Sequence, residues 1–327
     1  MMDMQVVTVE NSAAVALVDS NPFNAGTIKD WIEFCDVKPA TQKTYDKAIK
    51  SFVGYLLTNN ISRPTRDDVI AYRKWMIDED NKGVNRVFKS STARLYMVAV
   101  KNFFRFLASK SLYLNVADNV KLPKIPADEH ARDALTLDEA KATLKSFKGT
   151  DEKTLRDKAI MSLMIGCGLR STEVINANVG DIEKRRGMWF IKVLGKGRDD
   201  KSDSVKLSAE VKKVIDDYLA VRKHVKKSEP LFTSVAIRNR GERLQTQTVS
   251  RLAKKVFATI GIESDRVTCH SCRHTFAQIS IDNGVSMREL QKILRHRSVV
   301  TTEVYMHDRD KFKSRGVEIV SKVLFAA

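Results

Sequence analysis

A few residues in the last third of this chain have the types and spacing needed for phosphate chemistry. The run Cys269-His270-Ser271-Cys272-Arg273-His274-Thr275 is followed by Leu294-Arg295-His296 and then by Tyr305. A guanidinium clamps phosphate oxygens in pairs and stays charged at any working pH. A histidine can position or move a proton near neutrality. A phenol, with an ordinary pKa near ~10, can attack phosphorus once a base or nearby positive charge helps it lose its proton. Two upstream segments add parts: Arg170 in Gly168-Leu169-Arg170-Ser171-Thr172-Glu173, and Lys196 in Gly195-Lys196-Gly197. Gathered at one place, these groups could break and rejoin a phosphodiester. The phosphotyrosyl ester formed on the way keeps the bond energy, so neither nucleotide nor metal is required.

Each residue also has an ordinary role to set against this one. Arg170 stands where an exposed arginine would end a helix, and most arginines are exposed. Gly-Lys-Gly suits a solvated hairpin tip. Lone histidines are mostly hydrogen-bonded packing residues, the role expected of His274, and Tyr305 precedes a basic tail. The set as a whole reads differently. Arg170 and Arg273 would stabilise charge on the equatorial oxygens of a pentacoordinate phosphorus. Lys196 would protonate the departing 5′-oxygen as a general acid. His270 would accept or orient the tyrosine proton, His296 would donate to a non-bridging oxygen, and Tyr305 would be the nucleophile. No G-x-x-x-x-G-K-[ST] run occurs, which excludes a nucleotide P-loop.

Composition agrees with a polyanionic partner. The chain has 327 residues, 43% of them hydrophobic, and a formal charge of +17. Residues 1–130 hold 18 Lys/Arg against 15 Asp/Glu, while residues 131–327 hold 39 against 25. Excess positive charge favours phosphates, because binding them releases condensed counterions. The four cysteines (35, 167, 269 and 272) are too few and too poorly spaced for a disulfide framework. Cys269 and Cys272 form a C-x-x-C with no second pair of soft ligands, so small core residues are expected there rather than a metal site. No apolar run approaches the ~18 residues of a membrane span. No basic segment precedes an apolar one at the N-terminus. A cytoplasmic protein that needs no cofactor is the expectation.

The elements that must position these residues follow from periodicity. Residues 1–25 read as a loose leader. Residues 26–117 read as a four- or five-helix bundle. One helix carries Tyr45, Ile49, Phe52, Val53, Leu56 and Leu57, a second is capped by Thr65, and a third carries Leu95, Val98, Phe103, Phe106 and Leu107. Residues 118–132, with Pro123 and Pro126, read as a linker. Thr136 with Glu139 is a capping box that opens a second domain over 133–315. That domain is helical except between Gly187 and Leu207, where Trp189, Ile191, Val193, Val205 and Leu207 alternate as in a small antiparallel sheet with Gly195-Lys196-Gly197 in its turn. Residues 316–327 form an amphipathic tail. The fold class is mainly α with a small antiparallel β-sheet: a helical domain followed by an α+β one.

Taken in order, Arg170, Lys196, His270-x-x-Arg273, His296 and Tyr305 resemble the tyrosine recombinase (phage integrase) family, in its simple two-domain form. Thr275-Phe276-Ala277 and Thr301-Thr302-x-x-Tyr305 support the likeness, which covers about residues 28–310. Glu173, one helical turn after Arg170, matches the family's supporting acidic position. Two residues depart from the pattern: Arg295 where glycine is usual, and Cys272 where leucine is usual.

The resemblance implies a core-binding domain and a catalytic domain that grip duplex DNA as a C-shaped clamp. Lys43, Lys47, Arg94 and Lys101 are the candidate DNA contacts in the first, and Arg243, Arg251 and Lys255 in the second. It further implies a homotetramer on specific double-stranded sites, a tail packed on a neighbouring protomer, and accessory DNA-bending proteins as further partners. Integration or excision of a mobile element is the expected role. The alternatives are resolution of chromosome or plasmid dimers, relaxation of the type IB topoisomerase kind, and a regulator with an inactive site.

Overall fold

The computed structural model describes residues 22–78, 87–126, 133–195, 200–222 and 225–295. The chain divides into two compact units, residues 1–130 and 131–327.

In the first unit four helices are described: α1 (Ala25–Phe34), α2 (Pro39–Thr58), α3 (Arg66–Ile77) and α4 (Ser90–Ser109). Two of these four helices open on a side-chain cap, that of Thr65 being the one expected. Asn24 Oδ1 accepts from Thr27 N at 2.9 Å, and Thr65 and Asp68 close a reciprocal box. In α4 the residues Ala93, Met97, Val100, Phe104 and Leu107 recur every three or four positions and are all buried. They pack with Trp31, Phe52, Tyr72 and Met76, and burying each large side chain contributes roughly 1.5–3 kcal/mol. Two residues expected on the apolar stripes lie off them. Leu57 and Leu95 are exposed, because each projects away from the buried row of its helix, Leu95 from nearly the opposite face of α4.

Contacts of this unit extend into the expected leader and linker. Phe23 falls within the expected leader, yet it is buried and meets Phe52, Phe103, Phe104 and Tyr113 edge-on or tilted. The first half of the expected linker is likewise fastened to the helices. Val120 is buried, and four cations donate to carbonyls of the segment: Arg66 to Asn119 (3.4 Å), Lys101 to Val120 (2.9 Å), Arg73 to Lys121 (2.8 Å) and Arg94 to Pro123 (3.0 Å).

The second unit is built around α6. Its described elements run α5 (Leu137–Lys145), α6 (Glu152–Gly166), α7 (Ser171–Asn176), β1 (Ile182–Arg185), β2 (Met188–Val193), β3 (Asp203–Leu207), α8 (Ala209–Arg222), α9 (Thr246–Thr259), α10 (Ser271–Asp282) and α11 (Met287–Leu294). Most of α6 is buried on all sides, as a helix at the centre of a core must be. The Thr136–Glu139 box opens α5 as expected. The sheet is antiparallel with order β1-β2-β3, and Ile191 lies opposite both Ile182 and Val205. Ile191, Val193, Val205 and Leu207 face the core. The strand β1 was not expected, since only its first two residues are even half-buried and it carries no alternation. Lys196 and Gly197, expected in the β2–β3 turn, lie outside the described residues.

Candidate active site

Helix α6 delivers the chain into a tight turn at Gly168, and the site is assembled beside it. Gly168 has φ +63°, and a Cβ there would stand 2.7 Å from Phe276 Cδ1 and 3.0 Å from Leu294 Cδ2. Only glycine meets both demands, the left-handed backbone and the close approach. The turn brings Arg170 to the N-cap of α7, one helical turn before Glu173.

Glu173 is 1% exposed and gathers three guanidinium groups. Its Oε1 accepts from Arg170 Nη1 at 2.9 Å, and its Oε2 accepts from the Arg170 backbone N–H at 2.8 Å. Oε2 also accepts from Arg295 Nη2 at 2.7 Å and lies 4.0 Å from Arg273 Nη1. A lone buried carboxylate would be costly. This one is neutralised with charge to spare, because three arginines surround it among the described residues.

Arg273 is fixed from two further directions. Nη1 donates to the Gly168 carbonyl at 2.6 Å, and Nη2 donates to the Leu294 carbonyl. It therefore ties the turn before α7, helix α10 and the end of α11 into one knot. Helix α10 is itself anchored. Thr275 Oγ1 accepts from Leu135 N and donates to the Ser271 carbonyl, both at 2.8 Å, so the entry to the second unit is locked against the helix that carries Arg273.

Arg295 is the C-cap of α11 and adopts the left-handed conformation, φ 56° and ψ 43°. Holding a non-glycine residue there costs on the order of 1 kcal/mol. Its side chain is nevertheless 8% exposed, with Nη1 donating to the Ile293 carbonyl at 2.7 Å. Its Nε is buried without a hydrogen-bond partner among the described residues. Burial pushes the nearby Cys167 thiol up to about 12, against the pull of the Arg295 charge. Cys272, where the family pattern has leucine, is wholly buried, and its thiol is likewise held neutral by burial.

His270 lies exposed at the start of α10. It shares a pocket of about 450 Å³ with Ser171, Thr172, Ser250, Arg251 and Lys254, so it opens onto the same side as the first turn of α7. A larger cleft of about 790 Å³ lies along α5 and α9 and includes Lys255, but holds none of the phosphate-handling residues. Four of the seven residues named above for this chemistry, Arg170, Glu173, Arg273 and His270, are thus brought to one region. Lys196, His296, Tyr305 and the tail 316–327 lie outside the described residues.

The candidate DNA contacts separate into two groups. Lys43, Lys47, Arg251 and Lys255 are exposed. The other three have backbone partners. Arg94 and Lys101 hold the 120–123 segment, and Arg243 clasps the end of α7 through the Ile175 (2.7 Å) and Ala177 (3.1 Å) carbonyls and Asn178 Oδ1 (2.5 Å). Sequence reasoning missed the pairing of Arg295 with Glu173. A helix C-cap where glycine is usual was the available signal.

No described helix is long and apolar enough to cross a membrane. The profile of the phage integrase family matches residues 133–311, and that of the phage integrase N-terminal SAM-like domain matches residues 32–111. The chain is 32% identical over 250 residues to tyrosine recombinase XerC of Caldanaerobacter subterraneus subsp. tengcongensis. That alignment covers 75% of this chain and 65% of the relative. It is 27% identical over 271 residues to tyrosine recombinase XerD of Halalkalibacterium halodurans, covering 82% and 86%. Among solved structures it is similar to XerH site-specific recombinase bound to a palindromic difH substrate. The TM-score is 0.69 at 18% identity, covering 94% and 90%. It is also similar to a lambda integrase tetramer bound to a Holliday junction, with TM-score 0.64 at 18% identity, covering 90% and 80%.

Proposed function

The chain belongs to the phage integrase family of tyrosine recombinases, and from that premise we propose that it cuts and rejoins duplex DNA at specific sites through Tyr305. The phenolic oxygen attacks the scissile phosphorus and the bond to the 5′-oxygen breaks. A 3′-phosphotyrosine and a free 5′-hydroxyl result. Lys196 gives its proton to the departing 5′-oxygen, and His270 takes or orients the proton of the phenol. Arg170 and Arg273 hold the non-bridging oxygens as charge builds on them, and His296 donates to one of them. A 5′-hydroxyl from a partner strand reverses the step, so no energy source is consumed.

The observation that carries this reading is the meeting of Arg170 and Arg273, over a hundred residues apart in sequence, at one buried carboxylate with His270 nearby. Fixed guanidinium groups of this kind are what a phosphoryl transition state requires, because they need no reorganisation as charge develops. Four protomers would act on two sites, as in the lambda integrase tetramer on its junction. Within the family, the XerC and XerD relatives favour resolution of DNA dimers over integration of a mobile element.

A nicked duplex that traps the cleaved state tests the chemistry. The full chain should give a covalent protein–DNA band, and Tyr305→Phe should abolish it. Persistence of the band in Tyr305→Phe rejects Tyr305 as nucleophile. Relaxation of any supercoiled plasmid regardless of sequence would instead favour a topoisomerase.

A further inference from the structure

The sharing of one buried carboxylate by three arginines leaves a question of charge. Arg170 and Arg273 can serve a phosphate only with the charge that Glu173 does not neutralise. Among the described residues at Glu173, two arginines and one carboxylate leave a single net positive charge. Arg295 raises that to two, and it reaches the side of Glu173 through Oε2 at 2.7 Å. The backbone at this position is left-handed, where glycine would sit without strain, yet the residue is an arginine with a buried side chain. Its guanidinium faces Glu173 and the Ile293 carbonyl, so it acts through the carboxylate.

We propose that Arg295 is a positioning residue that sets the charge of the phosphate site: it shares Glu173 with Arg170, so that the carboxylate does not cancel the positive charge that Arg170 and Arg273 bring to the scissile phosphate. This rests on the reading of Arg170 and Arg273 as the phosphate clamp. The advantage is largest in the transition state, where the phosphoryl oxygens carry more negative charge than in the ground state. The effect of losing Arg295 therefore falls on the cleavage rate more than on DNA binding.

The experiment measures single-turnover cleavage and duplex affinity for the full chain and for Arg295→Met, Arg295→Gly and Arg295→Lys. Met removes the charge and keeps much of the bulk. Gly removes the charge and relieves the left-handed backbone. Lys keeps the charge. Met and Gly should each slow cleavage by roughly 10- to 100-fold, the scale typical of residues that support a reacting group, while affinity changes by less than about threefold. Lys should recover most of the rate.

A second substrate separates electrostatics from misfolding. With a methylphosphonate at the scissile position the phosphorus centre loses its negative charge, so the deficit of Arg295→Met should shrink to within about threefold of the wild-type chain. Cleavage of the ordinary phosphodiester at the wild-type rate by Met or Gly overturns the proposal. So does a deficit of equal size on the neutral linkage, the mark of a merely structural role. A wild-type chain that forms no covalent adduct at all, with Arg170→Ala indistinguishable from it in DNA binding, points to failure of the underlying recombinase reading instead.

Discussion

At the scale of single residues the site is organised by Glu173, the carboxylate that three arginines share among the described residues. A buried ion pair adds little net stability over an apolar substitute, but removing one partner leaves an uncompensated charge and costs several kcal/mol. Glu173→Gln keeps the shape but removes the charge and replaces one acceptor oxygen with a donor amide, leaving Arg273 and Arg295 side by side with little access to solvent. The expected loss is about 3 kcal/mol of unfolding free energy, read from the urea midpoint. Adding Arg295→Met should restore part of it, because the two changes share a partner and are not additive. That Arg170 and Arg273 converge on one place was expected from residue type and order alone. The burden placed on Arg295 was not, because a backbone torsion and a buried contact leave no mark on residue type alone.

At the scale of elements the knot between α6, α7, α10 and α11 turns on Gly168. Alanine there would have to accept φ +63° and displace Phe276, whose ring carbon lies 2.7 Å from where the Cβ would stand. Backbone strain of this kind costs on the order of 1–3 kcal/mol, and the displaced ring adds to it. Gly168→Ala should therefore lower the unfolding free energy by at least about 2 kcal/mol in urea melts. It should also slow covalent-adduct formation, because the Gly168 carbonyl that orients Arg273 moves. Helices with full caps and clean three–four spacing, such as α3 and α5, were plain in the sequence. Strand β1 was not, since a four-residue edge strand with polar residues is held by its neighbour's hydrogen bonds rather than by its own pattern.

At the scale of the whole molecule the formal charge of +17 sets the response to salt. A protein that neutralises six to ten phosphates loses roughly 10³–10⁵ in affinity between 50 and 200 mM salt. Replacing an exposed cation such as Lys43, Lys47, Arg251 or Lys255 with alanine should reduce the log–log slope by about one if that residue meets a phosphate. Replacing Arg94, Lys101 or Arg243 should instead leave the slope nearly unchanged and lower stability, because those side chains hold carbonyls of the fold. Binding isotherms at several salt concentrations, paired with thermal melts, separate the two groups. Net charge and its bias toward residues 131–327 could be read directly from composition. Which cations are spent internally could not, because a lysine or arginine serving a carbonyl looks the same in sequence as one serving solvent.

The clasp of Arg66, Arg73, Arg94 and Lys101 on the carbonyls of residues 119–123 also shortens the tether between the units. Counted from the proline-containing stretch as sequence alone delimits it, the connection would be fifteen residues. Counted from the last clasped carbonyl, at Pro123, to Leu135, whose amide is bonded to Thr275, it is about a dozen. At full extension such a segment spans at most roughly 40 Å. Loosening the Arg94 clasp moves the last held carbonyl from Pro123 back to Lys121, two residues earlier, without altering the chain. A substitution at Arg94, far from the arginine cluster, would thereby change how many residues separate the last held carbonyl of one unit from the first held amide of the other.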